Sequence, residues 1–126
     1  MDSSERPTDL DSHDAIVQMV DLFYFRIMNN ELLAPYFRNL NWIHHKERMV
    51  SFWSFILLHK AGYTRNVYDA HKDLDITHVH FDMWLTVFTE TVNAHFTGPM
   101  ADAAIERARV LALTFSAKKQ EQMASQ

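Results

Sequence analysis

Thr77-His78-Val79-His80-Phe81-Asp82-Met83-Trp84-Leu85-Thr86-Val87-Phe88-Thr89-Glu90-Thr91-Val92 is the stretch whose period decides the fold class. Phe81, Trp84, Leu85, Phe88 and Val92 recur at the spacing that lines one buried face of an α-helix. Thr77 is a suitable N-cap for it. Downstream, Thr97-Gly98-Pro99 breaks the chain, and Pro99 fits the first turn of a last helix. That helix is expected to bury Ala101, Ala104, Ile105, Ala108, Leu111, Ala112 and Phe115, a row whose alanines allow a close helix crossing. From Ser116 onward the sequence is polar and is expected to fray.

Upstream, a first helix is expected to start near Asp11-Ser12, to carry Ile16, Met19, Val20, Phe23 and Ile27 inward, and to end at Asn29-Asn30. Leu32 to Phe37 forms a short segment in which Pro35 forbids a long regular helix. A long helix follows from about Trp42 to His59. The loop Ala61-Gly62-Tyr63-Thr64 ends it, with a brief helical turn expected from Val67 to Leu74. The composition agrees with few, long helices: among 126 residues there are only 2 Gly and 3 Pro, too few for the turns of an all-β fold. This length suits one domain over 1–126 with polar tails at about 1–11 and 117–126.

Charge and cysteine usage exclude several function classes. A net charge of −4 gives no basic stripe for nucleic acid. Zero Cys rules out a disulfide scaffold and thiolate ligation. No apolar run approaches the ~20 residues of a membrane span, and the acidic start lacks the marks of a secretory signal, so a cytoplasmic location is expected. The histidines form no H-E-x-x-H motif, and neither a glycine-rich phosphate loop nor a nucleophile elbow is present.

Two features carry possible chemistry. His45, Arg48, Met49, Phe52, Trp53 and Ile56 share one side of the second long helix, polar in its first turn and apolar afterwards. That polarity matches a porphyrin, with an apolar plane and two carboxylates at one edge; Arg48 could pair with a propionate while Met49 and Phe52 pack on the macrocycle. From this face alone, however, an amphipathic core helix with a solvated first turn is the commoner explanation. His71 lies in an apolar stripe between Val67-Tyr68 and Leu74. A lone His there is more often a hydrogen-bonded core residue than a ligand, and Tyr24, beside Phe23, reads on pattern alone as core.

Taken in order, several blocks resemble the third group of the truncated haemoglobins. They are Leu22-Phe23-Tyr24, Pro35-Tyr36-Phe37, His45-Lys46-x-Arg48 running on to Phe52-Trp53, Ala70-His71-x-x-Leu74 and His80-Phe81-Asp82-x-Trp84-Leu85-x-x-Phe88. Each block is short, but together they span Ile16 to Phe115 in the family's order. The first two groups are less similar, because they use paired glycines after the early helices and no Gly-Gly pair occurs here. One departure is Tyr63-Thr64-Arg65-Asn66-Val67, where the family often reads Tyr-x-Gly-Asn-Pro.

The resemblance implies an all-α, shortened globin fold: a two-over-two helical sandwich around one haem, of the b type. It implies His71 as the proximal iron ligand, with Phe37, His45, Arg48, Met49, Phe52, Trp53 and Leu74 around the cofactor. Tyr24, Trp84, His45 and Met49 would face the bound ligand, a small gas such as dioxygen, nitric oxide or carbon monoxide. Oxygen or nitric oxide chemistry, or sensing, is then the expected role. A redox enzyme, such as a nitric oxide dioxygenase or peroxidase, would need a separate reductase because no flavin or nicotinamide domain is fused. A haem-free helical interaction module is the remaining alternative.

Overall fold

Ser12 opens the first helix, α1 (His13–Met28), by accepting the Ala15 N–H on its hydroxyl at 3.1 Å, which satisfies one of the donors a helix start leaves bare. The computed structural model describes residues 8–38, 40–60 and 76–124. Ile16, Met19, Val20, Phe23 and Ile27 of α1 are buried, the stripe expected from their spacing. After Asn29 the chain turns on Asn30, whose side-chain oxygen accepts the N–H groups of Leu32 and Leu33. Pro35 then sits inside a single 3-10 turn, Ala34–Tyr36, rather than a longer helix.

The second helix, α2 (Trp42–Leu58), is capped by Asn41. It ends where His59 adopts a left-handed conformation (φ 57°), so that His59 and Lys60 both donate their N–H groups to the Ser54 carbonyl. The third, α3 (His78–His95), begins at Thr77 as its sequence suggests. Of its stripe, Phe81, Phe88 and Val92 are buried, while Trp84 and Leu85 remain half-buried. The last, α4 (Pro99–Ala124), buries Ala101, Ala104, Ala108 and Ala112; Ile105, Leu111 and Phe115 are only half-buried. The stretch from Ser116, expected to fray, is instead helical through Ala124. Ala, Lys, Gln and Glu there are strong helix formers, and Lys119 is largely buried, so the segment is held by more than propensity.

These elements form two helix pairs. α3 packs most extensively on α4; α1 packs on α3 and α2 to a similar extent, and α2 rests more lightly on α4. The result is an all-α arrangement of two helix pairs, the two-over-two form expected above. Among the described residues there is no β-strand, although Thr8 makes an isolated parallel bridge to Phe96 and its carbonyl accepts the Thr97 N–H at 2.9 Å.

That bridge corrects the expected N-terminal tail, since residues 8–10 are docked. Leu10 is fully buried. Asp9 caps α4 from the far end of the chain, accepting the Met100 N–H at 3.1 Å and the Ala101 N–H at 2.7 Å. Gly98 makes room for it. Its φ of +133° disfavours any side chain, and a Cβ there would meet Asp9 Cγ at 2.5 Å. The break expected at Thr97-Gly98-Pro99 is therefore a close approach between chain segments, which local sequence does not reveal.

Candidate functional site

An aromatic stack ties α2 to α3 and sets the orientation of the site. Trp53 stacks on Phe88 (centroids 4.9 Å, interplanar 15°), and Trp84 stacks on Phe88 as well (5.6 Å, 13°). Phe23 of α1 meets Phe88 and Trp84 edge-on, at 5.4 and 5.9 Å. Four rings from three helices thus hold Trp84 in place while leaving it half-buried.

Tyr24, one residue beyond Phe23, makes its ring contact elsewhere. It is half-buried and stacked on Trp42 at the start of α2 (3.6 Å, 20°). Trp42 in turn lies 6.1 Å from the His45 ring, and Phe37 approaches His45 edge-on at 5.7 Å. Tyr24, Trp42, His45 and Phe37 therefore form a continuous aromatic wall. Among the described residues neither the Tyr24 hydroxyl nor the Trp84 indole N–H has a hydrogen-bond partner, so both are open donors on half-buried rings.

On α2, Met49, Phe52 and Ile56 are half-buried, with Phe52 edge-on to Trp53 at 5.2 Å. Arg48 is exposed at the polar end of the same helix. A half-buried run of Met and aromatic side chains, with a cation at one end and two unpartnered donors nearby, fits a flat apolar group with an anionic edge, such as haem. Trp53 differs from its neighbours: at 2% exposure it belongs to the core stack, where it supports Phe88 and Phe52. His71 and Leu74 lie outside the described residues.

A second polar group sits beside this wall. His80 lies edge-on to Tyr36 (5.1 Å, 82°), with its Nε2 3.4 Å from the phenol oxygen. Its Nδ1 accepts the Thr77 N–H at 3.0 Å. Neither Trp42 nor His80 is among the site residues the sequence led one to expect. Trp42 precedes His45 by three residues, and that spacing alone marks a shared face. His80 follows Thr77 by three, the capping-box interval, with an imidazole where Glu or Gln is usual.

Ion pairs add little to the site. Lys46 binds Asp21 at 2.9 Å, linking α2 to α1 at a solvated position. On α4, the hydrogen bond from Arg109 holds the Glu106 carboxyl below its ordinary range and the guanidinium above its own. Both groups are fully solvated, so this pair says nothing about function. Among the described residues no cluster of His, Asp or Glu could hold a bare metal ion, and no helix is long and apolar enough to cross a membrane.

The sequence profile of the family described as "Bacterial-like globin" matches residues 9–117. A group 3 truncated hemoglobin of Campylobacter jejuni is 26% identical over 111 residues, covering 82% of this chain and 87% of the relative. A group 1 truncated hemoglobin of Tetrahymena pyriformis is 27% identical over 74 residues, with 58% of this chain and 61% of the relative aligned. In three dimensions the chain superposes on the crystal structure of a group III truncated hemoglobin from Campylobacter jejuni with a TM-score of 0.82 at 23% identity, covering 90% and 94% of the two chains. The longer match lies with the third group, as the missing Gly-Gly pair led one to expect.

Proposed function

Because the chain belongs to the bacterial-like globin family, whose members hold a haem iron and bind small ligands on it, we propose that it holds haem b and binds dioxygen or nitric oxide in a polar pocket. The observation that carries this reading is the pair of half-buried donors, Tyr24 and Trp84, left without partners beside an apolar wall. Haem, when bound, supplies an iron with one position open to a small ligand. His71 would hold that iron through a neutral imidazole.

Each remaining residue has a task that follows from its chemistry. Met49, Phe52 and Phe37 offer apolar surface to the ring, and exposed Arg48 offers a charge to a propionate. Leu74 would pack beside His71. Trp53 supports the wall from the core side. The Tyr24 hydroxyl and Trp84 indole can each donate to a ligand atom that gains negative charge on binding. Each such bond contributes about 1.5–3 kcal/mol, roughly ten- to a hundredfold in dissociation. A ligand that gains little charge, such as carbon monoxide, draws little from them. The pocket therefore retains polar ligands selectively, which suits oxygen or nitric oxide chemistry, or sensing, better than bulk oxygen delivery.

Visible absorption spectra of the purified protein in ferric, ferrous and carbonyl forms test the reading. They should show the bands of a histidine-bound haem. His71→Ala should lose most of its haem in imidazole-free buffer, whereas His78→Ala should keep it. A colourless protein after expression with haem supplementation, or full haem occupancy in His71→Ala, would remove it.

A further inference from the structure

His80 makes one contact through each of its ring nitrogens. A backbone N–H can only donate, so the Thr77 N–H at 3.0 Å leaves His80 Nδ1 without a proton. The Thr77 hydroxyl, 3.3 Å from the same nitrogen, adds a second donor on that side. The neutral ring then carries its proton on Nε2 and donates it to the Tyr36 oxygen, 3.4 Å away. Glu or Gln at this position would satisfy the Thr77 N–H, but their two polar atoms diverge from one carbon and serve one direction. Imidazole places its nitrogens on different sides of a rigid ring, so one caps the helix while the other reaches across to a different element.

The two elements so joined carry opposite parts of the candidate pocket. Trp84 stands about one turn beyond His80 on α3. Phe37 follows Tyr36 directly and packs on His45. We propose that His80 is a positioning residue: it bolts the start of α3 to the 3-10 turn, and so fixes the separation between Trp84 on one side and the Phe37–His45 pair on the other. The functional half of this inference rests on the haem reading; the bolt itself does not.

Three variants separate the cap from the bolt. His80→Gln keeps an acceptor for Thr77 and removes the ring's far donor. Tyr36→Phe keeps the cap and removes the far acceptor, and His80→Ala removes both. Dioxygen dissociation should accelerate about two- to fivefold in His80→Gln and in Tyr36→Phe, part of the effect of one neutral hydrogen bond. It should accelerate no further in the double variant, because both lose the same contact. Tm should stay near the parent's in His80→Gln and fall in His80→Ala. Parental dissociation in His80→Gln would reduce His80 to a helix cap, and additive effects in the double variant would separate it from Tyr36. Either result overturns the proposal.

Nitrogen-15 NMR of the His80 ring supplies a readout that needs no gas. The Nε2–H tautomer is expected, with its proton exchanging faster in Tyr36→Phe; an Nδ1–H tautomer would overturn the bolt. This measurement and Tm report on His80 even in a protein that holds no haem, so failure here is distinguishable from failure of the haem reading.

Discussion

Trp53 and Trp84 both stack on Phe88, yet one is sealed and the other half-open. The contrast extends to the regions they belong to. On the closed side, both Asp9 oxygens accept N–H groups at the start of α4 and the Thr91 hydroxyl donates to the Val87 carbonyl at 2.7 Å, although the buried Ser54 hydroxyl has no partner among the described residues. On the open side, the Tyr24 hydroxyl and Trp84 indole stand without partners while Met49, Phe52 and Ile56 keep part of their surface exposed. The same helices build both regions. Adjacent residues, Phe23 and Tyr24, fall on either side of the divide. Under the haem reading, the donors offered to a ligand are those on half-buried rings that the chain itself does not satisfy.

Phe88→Ala should break both regions together, and it has the largest expected effect on stability. Phe88 is fully buried and contacts Trp53, Trp84 and Phe23. Truncation removes the ring that three others pack against and leaves a cavity, at a cost of about 3–5 kcal/mol in urea unfolding. Loss of under 1 kcal/mol would mean that the stack is not the joint between the two sides.

Tyr24→Phe sharpens the comparison from the open side. The ring and its stacking on Trp42 remain while the unpartnered hydroxyl is lost. Folding stability should change little, because no bond within the chain is broken. Dioxygen dissociation should accelerate about tenfold or more, and carbon monoxide dissociation far less. Trp84→Phe should show a smaller version of the same contrast, and the double variant should fall short of the sum if, as proposed, the two donors meet one acceptor. Stopped-flow displacement of both gases decides it. Equal acceleration of the two would mean that Tyr24 and Trp84 act through shape, and the polar pocket would be lost.

The divide also explains what the sequence made legible. Helix starts at Ser12 and Thr77, the break at Pro35, and the buried stripes of α1 and α3 all depend on neighbours within a few turns. They follow from spacing and capping chemistry. The Asp9 clasp, the Trp42–Tyr24 stack and the His80–Tyr36 contact each join residues far apart in the chain, and nothing in local pattern announces them. Trp53 shows the same limit: its helix face includes Met49 and Phe52, but burial against Phe88 draws it into the core. At the site, the roles proposed for Tyr24, His45, Met49 and Trp84 rest on several short blocks standing in a recognisable order. Taken singly, each has an ordinary core reading, since unpartnered donors become visible only once the neighbours are placed.

Asp9→Ala probes the closed side and has the smallest expected effect. The carboxylate accepts two of the N–H groups exposed at the start of α4 and lies at the positive end of that helix, so its loss should cost about 0.5–2 kcal/mol. Asp9→Asn keeps one acceptor oxygen and loses the charge, and should fall between the parent and Asp9→Ala. Gly98→Ala attacks the same clasp from the other partner: it places a Cβ 2.5 Å from Asp9 Cγ at a φ of +133°. In the Asp9→Ala background the clash with Cγ disappears while the backbone strain stays, so the two substitutions should cost less together than their sum. Urea unfolding of the four proteins measures this coupling. Dioxygen dissociation should be unchanged in all of them, because the clasp satisfies only groups of the fold. Acceleration in Asp9→Ala comparable to that in Tyr24→Phe would show that the clasp transmits to the pocket, and the separation of closed and open sides would fail.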